Sequence, residues 1–120
     1  MSSPSGREVL GRVLCRTDEI PEGGGRGFVF GSGETQQRVF IVCHQGALYA
    51  YRNACPHVGT PLDWVADRFF DPSGTLLQCA THGAQFRIED GTCVAGPCAG
   101  KRLKPLAVTV SGDYVVATVP

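Results

Sequence analysis

The residues of this chain best suited to chemistry fall in two short runs, Cys55-Pro56-His57 and Cys79-Ala80-Thr81-His82-Gly83. Each supplies one thiolate sulfur and one imidazole nitrogen, and 21 residues lie between His57 and Cys79. Sulfur and nitrogen donors spaced C-x-H and then C-x2-H are ligands for transition metals, so the chemistry on offer is metal binding. A zinc site is the simplest occupant. Zinc motifs, however, usually draw like ligands together, C-x2–4-C followed by H-x3–5-H. Here each half mixes one Cys with one His.

The two motifs resemble the ligand loops of the Rieske iron–sulfur family, and the resemblance covers essentially the whole chain. It implies a single [2Fe–2S] cluster as cofactor, with Cys55 and Cys79 on the inner iron and His57 and His82 on the outer one. The imidazoles are then expected near the surface, where an electron can enter and leave. Two ferric ions, two sulfides, two thiolates and two neutral imidazoles sum to zero charge when oxidised and to minus one when reduced. Four thiolates would make each state two units more negative. The mixed set therefore accepts an electron more readily, at about −150 to +300 mV against roughly −400 mV for plant-type clusters. The resemblance also makes Gly96-Pro97 the third, proline-containing loop that shields the cluster. Gly59 and Gly83 suit loops whose amides must approach the sulfides, and Pro56 stiffens the first loop.

High-potential members of the family carry a disulfide between the two ligand loops, but Thr60 and Thr81 occupy the matching positions here. They also present a Ser and a Tyr hydroxyl to the cluster, where this chain has Ala84 and Phe86. Hydrogen bonds to cluster sulfurs stabilise the more negative reduced state, so their loss lowers the potential. The sequence reads as a low-potential, ferredoxin-type protein. With His57 and His82 used, His44 is the sole remaining histidine. A mononuclear iron held by two His and a carboxylate, as an oxygenase catalytic subunit requires, cannot be built. The expected role is therefore not enzymatic. It is a soluble one-electron carrier, taking electrons from a flavoprotein reductase and passing them to an oxygenase-type acceptor. The alternatives are a non-catalytic Rieske subunit of a larger redox enzyme, as in the small subunit of nitrite reductase, and a cluster-based redox sensor.

The elements that must position these ligands read as all-β. Arg38–Cys43 and Ala47–Arg52 form a hairpin about His44-Gln45-Gly46, and the first ligand motif follows directly. Leu76–Gln78 enters the second motif and Gln85–Ile88 leaves it, turning at Asp90-Gly91 into Thr92–Val94. Leu103–Val110 and Tyr114–Val119 form a last hairpin, and Val9–Cys15 begins β-like. Pro21–Gly27 reads as a flexible loop, and no run of about ten residues has the periodicity of an amphipathic helix. The family resemblance turns this into a Rieske-type antiparallel β-sandwich with a small cluster-binding subdomain at about residues 53–98. Residues 1–8 read as a disordered tail and 9–120 as one domain, in keeping with 120 residues.

Eleven basic and 11 acidic residues cancel without any basic run, so no nucleic-acid partner is expected. The polar start Met1–Gly6 is not a signal peptide, and no apolar stretch nears the roughly 18–20 residues of a membrane span. The expected setting is cytoplasmic, with no membrane partner. There, Cys15, Cys43, Cys93 and Cys98 are expected as thiols, the first two in the core. Cys93 and Cys98 flank the cover that the resemblance implies, where a redox-sensitive bridge is the less favoured option and simple packing of Cys98 against the site the alternative. His44 is expected to be exposed at its turn. In the long stretch 61–74, Trp64, Phe69 and Phe70 are expected to fold back as a satellite core, the alternative being a docking surface.

Overall fold

The computed structural model of the chain describes residues 11–30, 37–56, 62–63, 67–80 and 83–118. Among these, β1 (Gly11–Arg16), β2 (Gly25–Phe30), β3 (Gln37–His44), β4 (Ala47–Arg52), β5 (Leu76–Gln78), β6 (Gln85–Arg87), β7 (Cys93–Ala95), β8 (Val108–Ser111) and β9 (Tyr114–Thr118) succeed one another without an α-helix. They build three antiparallel sheets, ordered β1-β9-β8, β2-β3-β4 and β5-β6-β7. A short 3-10 turn, Thr17–Glu19, follows β1. The all-β expectation holds.

Strand β3 explains how the sheets stack. Successive side chains of a strand point to opposite faces, yet Val39, Phe40, Ile41 and Val42 are all buried. Phe40 and Val42 enter one core, with Tyr51, Phe69, Leu77 and Phe86. Ile41 enters a second core, with Cys15, Ile20, Ala50 and Val115. The middle sheet is thus covered on both faces, by the β1-β9-β8 sheet on one side and by the β5-β6-β7 sheet, which carries the second ligand loop, on the other. Cover on two faces is why this strand is continuously apolar in sequence.

Several expectations are corrected. Residues Gly25–Gly27 are strand, not flexible loop, and pair with Val42, Ile41 and Phe40. The lack of a side chain at Gly25 serves packing: a Cβ there would lie 2.9 Å from Val42 Cγ1 and 3.0 Å from Phe69 Cδ2. Phe69 is not in a satellite core but in the main one, stacked on Phe40 with ring centroids 4.3 Å apart. Phe70 is half-buried against the same core, and Trp64 lies outside the described residues. His44 is the last residue of β3 rather than a turn residue, and its side chain is largely covered, with Nε2 3.9 Å from Glu89 Oε2. The turn itself is Gln45-Gly46, both at positive φ. Only the end of Leu103–Val110 is strand, because Pro105 makes just an isolated bridge to Tyr51. Cys15 is buried as expected, whereas Cys43 is half-buried at the rim of the second core. The tail at 1–8 lies outside the described residues.

Candidate metal centre

The first ligand loop leaves β4 through Asn53, the only buried polar side chain among the described residues. A buried amide must find partners, and this one finds them across the loop. Its Oδ1 accepts the Leu62 N–H at 2.7 Å, and its Nδ2 donates to Asp63 Oδ1 at 3.0 Å. The Asn53 N–H meanwhile donates to the Arg38 carbonyl on β3 at 2.8 Å. One residue therefore closes the base of the loop that carries Cys55 through its side chain and anchors it to the central sheet through its backbone. The Ala80 N–H donates to the Leu62 carbonyl at 2.9 Å, joining the first loop to the second.

The second loop is the tip of the β5–β6 hairpin, in register through Leu77–Phe86 and Gln78–Gln85. Beyond that ladder the Cys79 N–H donates to the Ala84 carbonyl at 2.8 Å, and the Gly83 N–H to the Cys79 carbonyl at 2.9 Å. Gly83 sits at φ 71°, where a glycine is favoured. Its own amide is committed to this tight turn. Gly59, its counterpart in the first loop, lies outside the described residues.

A third segment rests on the second loop. Gly96 has φ +100°, and a Cβ there would lie 2.8 Å from Ala84 Cα. Just past it, Cys98 is buried, and its thiol donates to Cys93 Sγ at 3.1 Å. Burial first, and then the Cys93 and Cys55 sulfurs beside it, push the Cys98 thiol up to about 12. Cys98 is therefore an S–H donor packed against Cys55. Cys43, by contrast, sits far along β3 with its thiol 3.8 Å from Glu22 Oε1, and burial together with that carboxylate pushes it up as well.

The structure thus places Cys55 and Cys79 in one buried core cluster, which also holds Leu62, Ala84, Phe86 and Cys98. His57 and His82 lie outside the described residues, as do Thr60 and Thr81. The described half of the site fits the inner end of an iron–sulfur cluster. Two deep thiols arrive on two loops that are hydrogen-bonded together, in apolar surroundings that exclude water. Sequence reasoning missed Asn53, whereas the neighbourhood of Cys98 and Cys55 agrees with the expectation that Cys98 packs against the site. The signal for Asn53 was available: an amide two residues before Cys55, at the end of an apolar strand, needs local partners.

Comparison with known proteins agrees with this geometry. Among curated relatives, the cytochrome b6-f complex iron-sulfur subunit of Chlorobaculum thiosulfatiphilum is 28% identical over 104 residues, covering 87% of this chain and 51% of the relative. The corresponding subunit of Chlorobaculum tepidum is 29% identical over 79 residues, covering 66% of this chain and 38% of the relative. The chain thus spans about half or less of the length of these relatives. Among solved structures, the ferredoxin of carbazole 1,9a-dioxygenase from Nocardioides aromaticivorans IC177 superposes with a TM-score of 0.69 at 21% identity, covering 91% of this chain and 97% of that one. The Sphingomonas yanoikuyae B1 ferredoxin does so with a TM-score of 0.70 at 24% identity, covering 92% and 99%. At such identities the likeness is one of fold. The model of the Rieske [2Fe-2S] domain matches residues 12–119, nearly the whole described chain, and this protein belongs to that family.

Proposed function

We propose that the chain is a one-electron carrier in which Cys55 and Cys79 hold the inner iron, and His57 and His82 the outer iron, of a Rieske [2Fe–2S] cluster. When bound, the cluster supplies reversible one-electron chemistry at a potential set by its ligands and their hydrogen bonds. The chain's own residues do the rest. Asn53 and the Ala80–Leu62 hydrogen bond hold the two loops in mutual register, and the apolar wall keeps water from the thiolate side. Residues 53–98 act as the cluster-binding subdomain of a single domain. The donor would be a flavoprotein reductase and the acceptor an oxygenase, in a cytoplasmic setting. Catalysis would then reside in the partner.

The observation that carries this reading is the character of positions 84 and 86. Both side chains are fully buried and neither bears a hydroxyl, which supports a low-potential, ferredoxin-type centre. Support for an oxygenase acceptor comes from solved assemblies of similar fold, among them the reduced complex between oxygenase and ferredoxin in carbazole 1,9a-dioxygenase. No helix among the described residues is long and apolar enough to cross a membrane. The curated relatives favour a second reading, the iron–sulfur domain of a cytochrome-complex subunit. A redox titration read by electron paramagnetic resonance separates the two. A Rieske signal with a midpoint well below 0 mV fits the ferredoxin reading, a midpoint near the top of the family range fits the second, and zinc in place of iron refutes both.

A further inference from the structure

Two buried thiols outside the ligand set face each other. Cys93 opens β7, Cys98 follows the Gly96-Pro97 turn, and both are almost fully covered, at 3% and 2% exposure. The backbone between them is already closed. The Cys93 N–H donates to the Lys101 carbonyl at 2.8 Å, the Gly100 N–H to the Cys93 carbonyl at 3.1 Å, and the Lys101 N–H to the Cys98 carbonyl at 2.9 Å. Within that closed loop the two sulfurs are 3.1 Å apart, and Cys93 Sγ also contacts the Ala95 carbonyl at 3.2 Å. A disulfide has an S–S distance of about 2.05 Å, so bonding needs about 1 Å of approach, a side-chain adjustment with the loop kept.

We infer that Cys93 and Cys98 form a peroxide-sensitive dithiol, a modification site beside the metal centre and separate from its ligands. Cys93 accepts the Cys98 S–H, so the two sulfurs already lie against each other, and oxygen placed on one is met at once by the other. Hydrogen peroxide transfers one oxygen to Cys93, the O–O bond breaks, and a sulfenic acid and one water result. The Cys98 sulfur then displaces the hydroxyl, its proton leaves in a second water, and the S–S bond forms. Two thiols are oxidised and one peroxide is reduced, with all atoms and electrons accounted for.

The test treats iron-loaded protein with a few equivalents of hydrogen peroxide, alkylates it after acid denaturation, and maps the peptides. The expected product is a Cys93–Cys98 bridge formed before Cys43 is modified, reversed by dithiothreitol, and absent from C93S. The inference is overturned if both thiols remain fully alkylatable at a dose that has oxidised Cys43 or bleached the visible signal. It is likewise overturned if Cys98 is found bonded to Cys55. The bridge mapping does not depend on whether the protein transfers electrons to an oxygenase.

Discussion

The contact of Gly96 with Ala84 can be tested against a built-in control. Gly96 and Gly100 both have strongly positive φ, +100° and +92°. An alanine at either position carries the strain of that backbone region, about 1–2 kcal/mol. The surroundings differ. A Cβ at Gly100 meets nothing within 4 Å, whereas one at Gly96 would stand 2.8 Å from Ala84 Cα, a backbone atom with no rotamer to yield. Overpacking of that kind adds about 1–3 kcal/mol. Gly96→Ala should therefore be the costlier substitution by about 1–3 kcal/mol, its total reaching roughly 2–5 kcal/mol by addition of the two terms. With a urea slope of about 2 kcal/mol per molar for a small domain, the midpoints of the two variants should differ by about 0.5–1.5 M. Urea unfolding of the iron-loaded protein, followed by visible and far-ultraviolet circular dichroism, measures both. Gly96→Ala should also lose its visible signal ahead of its backbone signal, because the displaced segment lies on the second ligand loop. Coincident midpoints for G96A and G100A would refute the claim that this segment rests on Ala84.

Three further outcomes are expected. Asn53→Ala leaves the buried Leu62 N–H without its acceptor and opens the base of the first loop, costing about 1–3 kcal/mol; the rate of iron loss to a chelator should rise while the far-ultraviolet spectrum is kept. Phe69→Ala empties a fully buried site stacked on Phe40 and should cost about 3–5 kcal/mol, with Phe69→Leu cheaper, as measured by thermal unfolding. Glu22 accepts the Gln45 and Gly46 N–H groups at 2.6 and 2.8 Å, and those bonds hold its carboxyl below the ordinary 4.5. A carboxylate lowered in the folded state contributes stability above its unfolded value and loses it as the pH falls through its folded value. Stability should thus hold from neutral pH to about 4.5 and then decline, and Glu22→Gln should shallow that decline in acid-unfolding curves. Asp71 and Asp90, lowered by their own hydrogen bonds, account for part of what remains.

What the sequence disclosed depended on how local each cause is. The family was legible in the C-x-H and C-x2-H spacing because metal chemistry restricts the residue types and their separation. The β3–β4 hairpin was legible because apolar runs on either side of Gln45-Gly46 leave the chain little else to do. The strand at Gly25–Gly27 was not, because what makes glycine fit there is Phe69, more than 40 residues away. His44 followed the same rule: a histidine beside a turn reads as exposed until Glu89 is known to lie across from it. Asn53 was half legible, as a polar residue in an apolar setting whose partners at Leu62 and Asp63 only the closed loop supplies.

Positions 84 and 86 show how the two kinds of information combine. The sequence states only that two hydroxyls are missing. At an exposed position that would decide little, since water can donate the hydrogen bond that a side chain does not. Ala84 and Phe86 are both fully buried, within a core whose other described members are carbon and thiol side chains. Bulk water therefore has no access to these two side chains and cannot stand in there for the absent donors. The low potential proposed above thus rests on their burial as much as on the two missing oxygens.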